Sequence, residues 1–182
     1  SDHRIDNFII VPGTAACEGA ADRARELGFE TMILSTMLEG ESRELGGTFA
    51  AIAKEILMSS RPLKPPCVVI GGGETTVRIT SEPGQGGPNQ EFALGAALWI
   101  DRIGDVVIVG QDSDGTDGPT TFAGGVVDNL TAERAKQFEV DIFGALKSHD
   151  VTPALVKLKD AILTGATGTN VNDLKVMLVM PA

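Results

Sequence analysis

Cys67-Val68-Val69-Ile70-Gly71-Gly72-Gly73-Glu74-Thr75-Thr76-Val77-Arg78-Ile79-Thr80 is the stretch on which the fold turns. Its first four residues are continuously apolar, the pattern of a strand covered on both faces, and they run into a glycine triplet. A Gly-x-Gly-x-x-Gly turn opening a helix, with an acidic residue about 20 positions on, would mark a dinucleotide-binding unit. Here position 76 is Thr76, and Val77 and Ile79 alternate with Arg78 and Thr80. The chain is therefore expected to double back as a half-exposed antiparallel strand, and a nicotinamide cofactor is disfavoured. No Gly-x-x-x-x-Gly-Lys-Ser/Thr run occurs either, which excludes a P-loop.

Upstream, the apolar run at residues 8–11 before Pro12-Gly13 predicts another buried strand. Ala16, Ala20, Ala24 and Leu27 then recur at helical spacing, with Thr14 as the expected N-cap and Gly28 closing the helix. Residues 31–35 read as a strand, and Leu45, Phe49, Ile52 and Ile56 form the stripe of a longer helix that ends before a Pro-rich linker at residues 61–66. Downstream, Phe92, Ala96, Trp99 and Ile103 define a helix with Asn89 as its expected N-cap. Strands are expected at residues 106–109, 124–127, 161–163 and 174–180, a helix from Thr131 to about Phe138, and short helices or turns between residues 141 and 158. Alternating strands and helices give an α/β fold: a three-layer α/β/α sandwich on a mixed, mostly parallel sheet.

At 182 residues, 42% hydrophobic and 22% charged, the chain is long enough to bury one core, and a single domain over residues 1–182 is expected. A net charge of −10 argues against a nucleic-acid partner, which would need clustered Lys and Arg. Cys17 and Cys67 have neither CxxC spacing nor a histidine cluster and read as buried free thiols. No run reaches the ~18–20 apolar residues of a membrane span, and the polar start Ser1-Asp2-His3-Arg4 does not lead into a signal-peptide core, so a cytoplasmic protein is expected. Opening almost directly on a strand without an initiator Met, the sequence reads as a piece of a longer chain.

Four polar, Gly-rich loops are expected at strand ends, at residues 71–76, 84–91, 111–121 and 164–173. Ligands of open α/β sheets bind outside the carboxyl ends of the strands, where glycines let backbone N–H groups approach phosphates or carboxylates. Asp112, Asp114 and Asp117 put three carboxylates within six residues. The match to an EF-hand loop fails, because Thr116 takes a ligand position, Asp117 takes the place of the obligatory glycine and Ala123 that of the bidentate glutamate. A Mg²⁺ site and Asx-turn chemistry both remain open for these aspartates. The N–H groups of residues 87–91 at a helix start make a natural anion seat, and Glu91 reads equally as a first-turn acid. His149, alone in a polar segment, is given no role.

In order, Gly72-Gly73-Glu74-Thr75-Thr76-Val77, Gly86-Gly87-Pro88-Asn89-Gln90-Glu91, Asp114-Gly115-Thr116-Asp117-Gly118-Pro119-Thr120 and Thr167-Gly168-Thr169-Asn170-Val171-Asn172-Asp173-Leu174 strongly resemble the MOFRL region of glycerate 2-kinases, with a core at about residues 67–182. That resemblance implies the C-terminal half of a two-domain enzyme whose N-terminal domain supplies the other wall of a cleft. It implies transfer of the ATP γ-phosphoryl to D-glycerate with Mg²⁺, and inactivity of the half alone. Glu74, Asp114 and Asp117 would be catalytic, and Asp112, Asp114 and Asp117 metal ligands. Gly72, Gly73, Thr75, Gly86, Gly87, Asn89, Gln90, Thr169 and Asn170 would hold substrate or phosphate. The expected partners are glycerate and the N-terminal domain, with a homodimer as an open alternative. The family usually has Arg where this sequence has Pro88, a departure that bears on the anion grip. The rival readings are a hydroxypyruvate reductase and a non-catalytic ligand-binding domain on the same scaffold.

Overall fold

The computed structural model describes residues 12–80 and 82–181, so the strand expected at residues 8–11 lies outside the described residues. In chain order the elements are α1 (Thr14–Glu26), β1 (Glu30–Leu38), α2 (Ser42–Ser59), β2 (Cys67–Gly73), α3 (Pro88–Ala97), β3 (Val106–Asp112), β4 (Gly124–Asp128), α4 (Thr131–Gln137), α5 (Ile142–Lys147), α6 (Val151–Leu158), β5 (Ala161–Ile162) and β6 (Asp173–Val179). The strands form one mixed sheet in the order β1-β2-β6-β3-β4-β5.

The last strand sits in the middle. β6 is inserted between β2 and β3 and is antiparallel to both. β4 runs antiparallel to β3 and β5. Four strands, β1, β2, β3 and β5, therefore share one direction, but β1–β2 is the one parallel pair among the described residues. The expected mostly parallel sheet is corrected in its pairing, because each of the two reversed strands lies between strands of the common direction.

The hairpin expected at Val77 and Ile79 does not form. β2 is buried along its whole length, with β1 on one edge and β6 on the other, so no edge remains for a returning strand. Past Gly73 the chain crosses the end of β1 instead, and Thr76 makes only an isolated parallel bridge with Glu41.

Helices cover both faces. α1 packs Cys17, Ala21 and Ala24 on Val68 and Ile70, with Leu174, Val176 and Leu178 of β6 alongside. On the opposite face lies the larger core of α2, α3, α5 and α6. Both cysteines are buried free thiols, and burial pushes the Cys67 thiol up to about 11 and raises that of Cys17. The expected N-caps shift by one or two positions: Gly13 precedes α1 and Gly87 precedes α3, with Pro88 as the first helical residue. Pro suits that place, since its missing N–H would have no intrahelical partner.

α3 is not the one-striped surface helix that its periodicity predicts. Every residue from Asn89 to Ala97 is buried, while Trp99 lies past the helix end and is 57% exposed. α3 touches α2 closely at two glycines: a Cβ on Gly46 would strike the Phe92 carbonyl oxygen, and one on Gly95 would meet the Arg43 Cα at 2.9 Å. Phe49 and Phe92 fill the same interface edge to face, with ring centroids 5.1 Å apart. Gly46→Ala is expected to force the two helices apart and destabilise the protein by about 1–3 kcal/mol. Gly19→Ala, at an exposed α1 position with open space around it, should instead stabilise by roughly 0.5–1 kcal/mol; urea unfolding of both variants checks the contrast.

Candidate functional site

β2 and β3 both end, and β6 begins, at one edge of the sheet. Gly73 and Asp112 are each registered opposite Asp173. The loops that follow β2 and β3 and that precede β6 spread from this edge, and α3 starts beside them, so strand direction alone brings the four Gly-rich loops together.

Beneath them lies a buried polar layer. The Asp117 carboxylate sits on the N-terminus of α3: Oδ1 accepts from the Asn89 backbone N at 3.0 Å and from its Nδ2 at 3.1 Å, and Oδ2 from the Gln90 backbone N at 2.9 Å and from its Nε2 at 3.1 Å. Two N–H groups that the first helical turn leaves open are satisfied in this way, and the negative charge faces the positive end of the helix. Gly87 is required under it, because a Cβ there would overlap the carboxylate. Asn89 Nδ2 also donates to Asp173 Oδ1 at 2.8 Å, and Lys175 Nζ donates to Asn89 Oδ1 at 2.7 Å and Asp173 Oδ2 at 2.9 Å. Gln90 closes the other side, with Nε2 donating to Thr120 Oγ1 at 3.1 Å and Oε1 accepting from Thr152 Oγ1 at 2.6 Å.

Burial pushes the Asp117 carboxyl above its ordinary range, and the Asn89 and Gln90 donors pull it back. All four partners are N–H donors, so the ionised carboxylate is the form the pocket accommodates. Desolvation pulls Lys175 down, opposed chiefly by Asp173.

This layer relocates several expected ligand contacts. Asn89, Gln90 and Asp117 do not face the surface; they lie under it with their polar atoms engaged. Gly72 and Gly73 are strand residues paired with Leu174 and Asp173, and their surroundings are protein on both sides. Thr75 is buried and accepts from Ser42 Oγ at 2.8 Å. Gly86 is half-buried against Val151.

On the outside lie Glu74, Thr169 and Asn170, with Asp114 half-buried beside them. Asp114 Oδ1 accepts from Thr116 N and Oγ1, both at 2.8 Å, and these bonds hold its carboxyl below the ordinary range. Its Oδ2 faces Asn170 Nδ2 at 3.4 Å. The two loops are fastened together by Thr167 N to Asp114 O at 3.1 Å and Val171 N to Ser113 Oγ at 2.8 Å. Half-buried Asp112 accepts from the Asp114 N at 3.0 Å, and desolvation, reinforced by neighbouring acids, pushes its carboxyl up to about 6. Asx-turn bonding therefore occupies one oxygen of Asp112 and one of Asp114. Among the described residues no three acidic, His or Cys side chains converge as a ready-made metal cluster, so Asp112, Asp114 and Asp117 do not form the expected triad.

A cavity of about 370 Å³ opens beside this surface, with Thr75, Thr76, Gly87, Pro88, Glu91 and His149 in its wall. No Lys or Arg lines it among the described residues; Arg78 lies instead on a neighbouring groove of about 1140 Å³. His149 Nδ1 is 2.7 Å from Glu91 Oε1, and both side chains are buried.

Sequence reasoning missed Asp173, Lys175, and the pairing of Glu91 with His149. Lys175 did carry a signal. It shares strand parity with Met177 and Val179, so in a strand covered on both faces it had to be buried and paired. Glu91 and His149 are 58 residues apart, and no local pattern joins them.

Asp117→Ala leaves the donors of α3 unanswered and is expected to lower the unfolding free energy by about 3–5 kcal/mol in a denaturant titration. Asp112 sets a pH dependence of the opposite kind from an ion-paired carboxylate. Its folded-state pKa of about 6 lies above that of an ordinary aspartate, about 3.9, so the folded protein holds the proton more tightly. That contribution is complete below pH ~4 and is lost as pH rises through ~6. In metal-free buffer the melting temperature of wild type relative to Asp112→Asn should therefore fall across this window and level off above it.

Residues 67–173, from the start of β2 to the first residue of β6, match the MOFRL family. The chain is 43% identical over 175 residues to a glycerate 2-kinase of Pyrococcus horikoshii, covering 96% of this chain and 40% of that protein. It is 44% identical over 164 residues to a D-glycerate 2-kinase of Thermotoga maritima, covering 90% and 39%. The crystal structure of a Thermotoga maritima glycerate kinase superimposes with a TM-score of 0.90 at 43% identity, over 93% of this chain and 41% of that one. The chain thus spans about 40% of the length of the curated relatives it matches. Because the matched segment takes in more than half of the chain and all four loops of the sheet edge, the chain belongs to the MOFRL family.

Proposed function

We propose that this chain is the C-terminal half of a glycerate 2-kinase and forms one wall of the cleft in which the ATP γ-phosphoryl passes to D-glycerate, an N-terminal domain supplying the other. The observation that carries this reading is the likeness, along nearly the whole chain, to proteins that bear the name. Phosphoryl transfer asks for positioning and charge stabilisation more than for covalent chemistry. The sheet edge suits that demand with a rigid buried layer under an exposed polar surface.

For a divalent cation the donor set is Asp112 and Asp114. Mg²⁺ with a nucleotide commonly takes one or two carboxylates and keeps several waters, and each of these aspartates retains an oxygen outside its Asx bond. The ion would neutralise charge on the transferred phosphoryl. Asp117 fits the metal less well, because both its oxygens are engaged by α3. Its part in the site is to hold the loop and the helix start in register. Thr169 and Asn170 would offer a hydroxyl and an amide to phosphate or glycerate oxygens, and Glu74 borders the same edge. The Gly87 region holds substrate only through its shape, since Asp117 already occupies the helix N-terminus.

Gly71, Gly72 and Gly73 lie within β2 and no helix opens directly on them, α3 starting only at Pro88, which leaves a nicotinamide-dependent reductase without its motif. Pro88 is the observation that favours the non-catalytic reading: the cavity beside it has no Lys or Arg among the described residues. A cytoplasmic setting goes with the kinase reading; no helix among the described residues is long and apolar enough to cross a membrane.

The full-length protein is expected to phosphorylate D-glycerate in the presence of Mg-ATP, with the product identified as 2- or 3-phosphoglycerate, and not to oxidise NADH with hydroxypyruvate. Asp114→Asn should lower turnover on the order of 10²-fold with the fold intact, and should blunt the rise in melting temperature that Mg-ATP gives to wild type. Turnover equal to wild type in Asp114→Asn would remove that residue from the mechanism. A folded protein without turnover would favour the ligand-binding reading.

A further inference from the structure

Glu91 carries a buried carboxylate oxygen, Oε2, that no hydrogen bond answers among the described residues. It lies in the first turn of α3 and is 1% exposed. A buried carboxylate oxygen without a partner is costly, and a first-turn acid that merely complemented the helix dipole would sit in water. Oε1 instead holds His149 Nδ1 at 2.7 Å.

His149 is held from several sides. It takes φ +54°, in the left-handed region that few non-glycine residues occupy. The next residues fasten it to the loop before α3, with Gln85 N donating to Asp150 Oδ1 at 2.9 Å and Thr152 N to Gln85 O at 2.9 Å. His149 lines the cavity of about 370 Å³ together with Thr75, Thr76 and Pro88, and also borders the groove of about 1140 Å³. Nδ1 is committed to Glu91, while Nε2 has no partner among the described residues and is not sealed off as Glu91 Oε2 is. The other charges facing the pair are Arg43 and Glu41, which are bridged to each other at 3.3 Å, and Arg43 is further tied to the Leu146 carbonyl at 3.0 Å. Neither competes for the imidazole. A carboxylate on Nδ1 fixes the tautomer with the proton there, leaves Nε2 as the accepting nitrogen, and stabilises the ring once it is protonated.

We propose that His149 is the proton acceptor for the hydroxyl that is phosphorylated, with Glu91 as its positioning residue. The proposal rests on the kinase reading and deepens it. In the step, a lone pair of the acceptor oxygen forms the bond to the γ-phosphorus and the bond from that phosphorus to the β,γ-bridging oxygen breaks with its electrons leaving on ADP. The hydroxyl proton passes to His149 Nε2. The wall offers no freer base, since Thr75 and Thr76 are hydroxyls, Glu91 Oε1 is committed to His149 and Glu91 Oε2 is buried.

The test is steady-state kinetics of the full-length protein with Mg-ATP and D-glycerate between pH 5.5 and 9. In wild type, kcat should rise with pH through one ionisation and then level. His149→Asn keeps an N–H for Glu91 and tolerates positive φ, yet lacks the base; kcat should fall on the order of 10²-fold or more, with KM little changed and the ionisation gone. His149→Gly suits the same backbone, and added imidazole should restore part of its kcat in proportion to the free-base form. Glu91→Gln should lower kcat and displace the ionisation seen in wild type, which a purely structural role would not do. If His149→Asn keeps wild-type kcat and its pH profile, the proposal is overturned while the kinase reading stands. The same holds if the loss is confined to KM, which would make His149 a grip for the acceptor carboxylate. A folded wild type that phosphorylates no hydroxyl would overturn the kinase reading and this step with it.

Discussion

The Asp117 carboxylate on the first turn of α3 is the interaction on which the site depends. α3 is buried along its length, so its open N–H groups cannot turn to water, and something charged or polar must meet them inside the protein. Asp117 does so from a loop that leaves β3, and in doing so fixes the height of that loop over the sheet. Asn89 and Gln90 carry the constraint onward to Asp173, Lys175, Thr120 and Thr152. One ion thus sets the relative positions of a helix start, two strand ends and a neighbouring helix. The helix periodicity that suggests a one-sided stripe is overridden by this enclosure.

Two electrostatic regimes lie within a few residues of each other at this edge. Below, Asp117, Asp173 and Lys175 are desolvated, and their charges are answered by one another and by amides. Above, the Thr116 donors hold the Asp114 carboxyl below its ordinary range, while Asp112 keeps an unusually high affinity for a proton. If the proposed cation site is right, a proton on Asp112 and a divalent cation would be alternatives for the same charge. The lower layer gives rigidity and the upper layer leaves carboxylate oxygens open, the combination that the proposed phosphoryl transfer would call for.

The order of strands and helices was legible because continuous apolar runs and helical spacing are local properties; the run from Cys67 to Ile70 and the stripe of Leu45, Phe49, Ile52 and Ile56 are instances. The loops that gather at the sheet edge were legible as well, since glycine and polar residues cluster after strand-like runs. What the local pattern could not supply was pairing. Nothing near Val77 says that both edges of β2 are already taken, one of them by a strand about a hundred residues later. The same blindness hid the mutual bonding of Asn89, Gln90 and Asp117. The family resemblance implies ligand contacts for them, their burial adds that they are partners of one another, and Lys175, polar on an inward parity, is the local sign of that layer.

The central place of β6 has a consequence for how the chain reaches its native state. β2 and β3 flank β6 and make no ladder with each other, so the two halves of the sheet have no shared backbone bonds until β6, the last of the described strands, has been made. The helices α2 and α3 can associate early through neighbouring sequence, but closure of the sheet brings together residues separated by about a hundred positions, an arrangement that slows folding through the entropy of loop closure. During synthesis the ribosome therefore releases a chain whose two half-sheets carry open inner edges. Such edges invite pairing with other chains until β6 arrives. Because Asp173 and Lys175 are the first residues of that same strand, assembly of the sheet and assembly of the polar layer beneath the site are a single event.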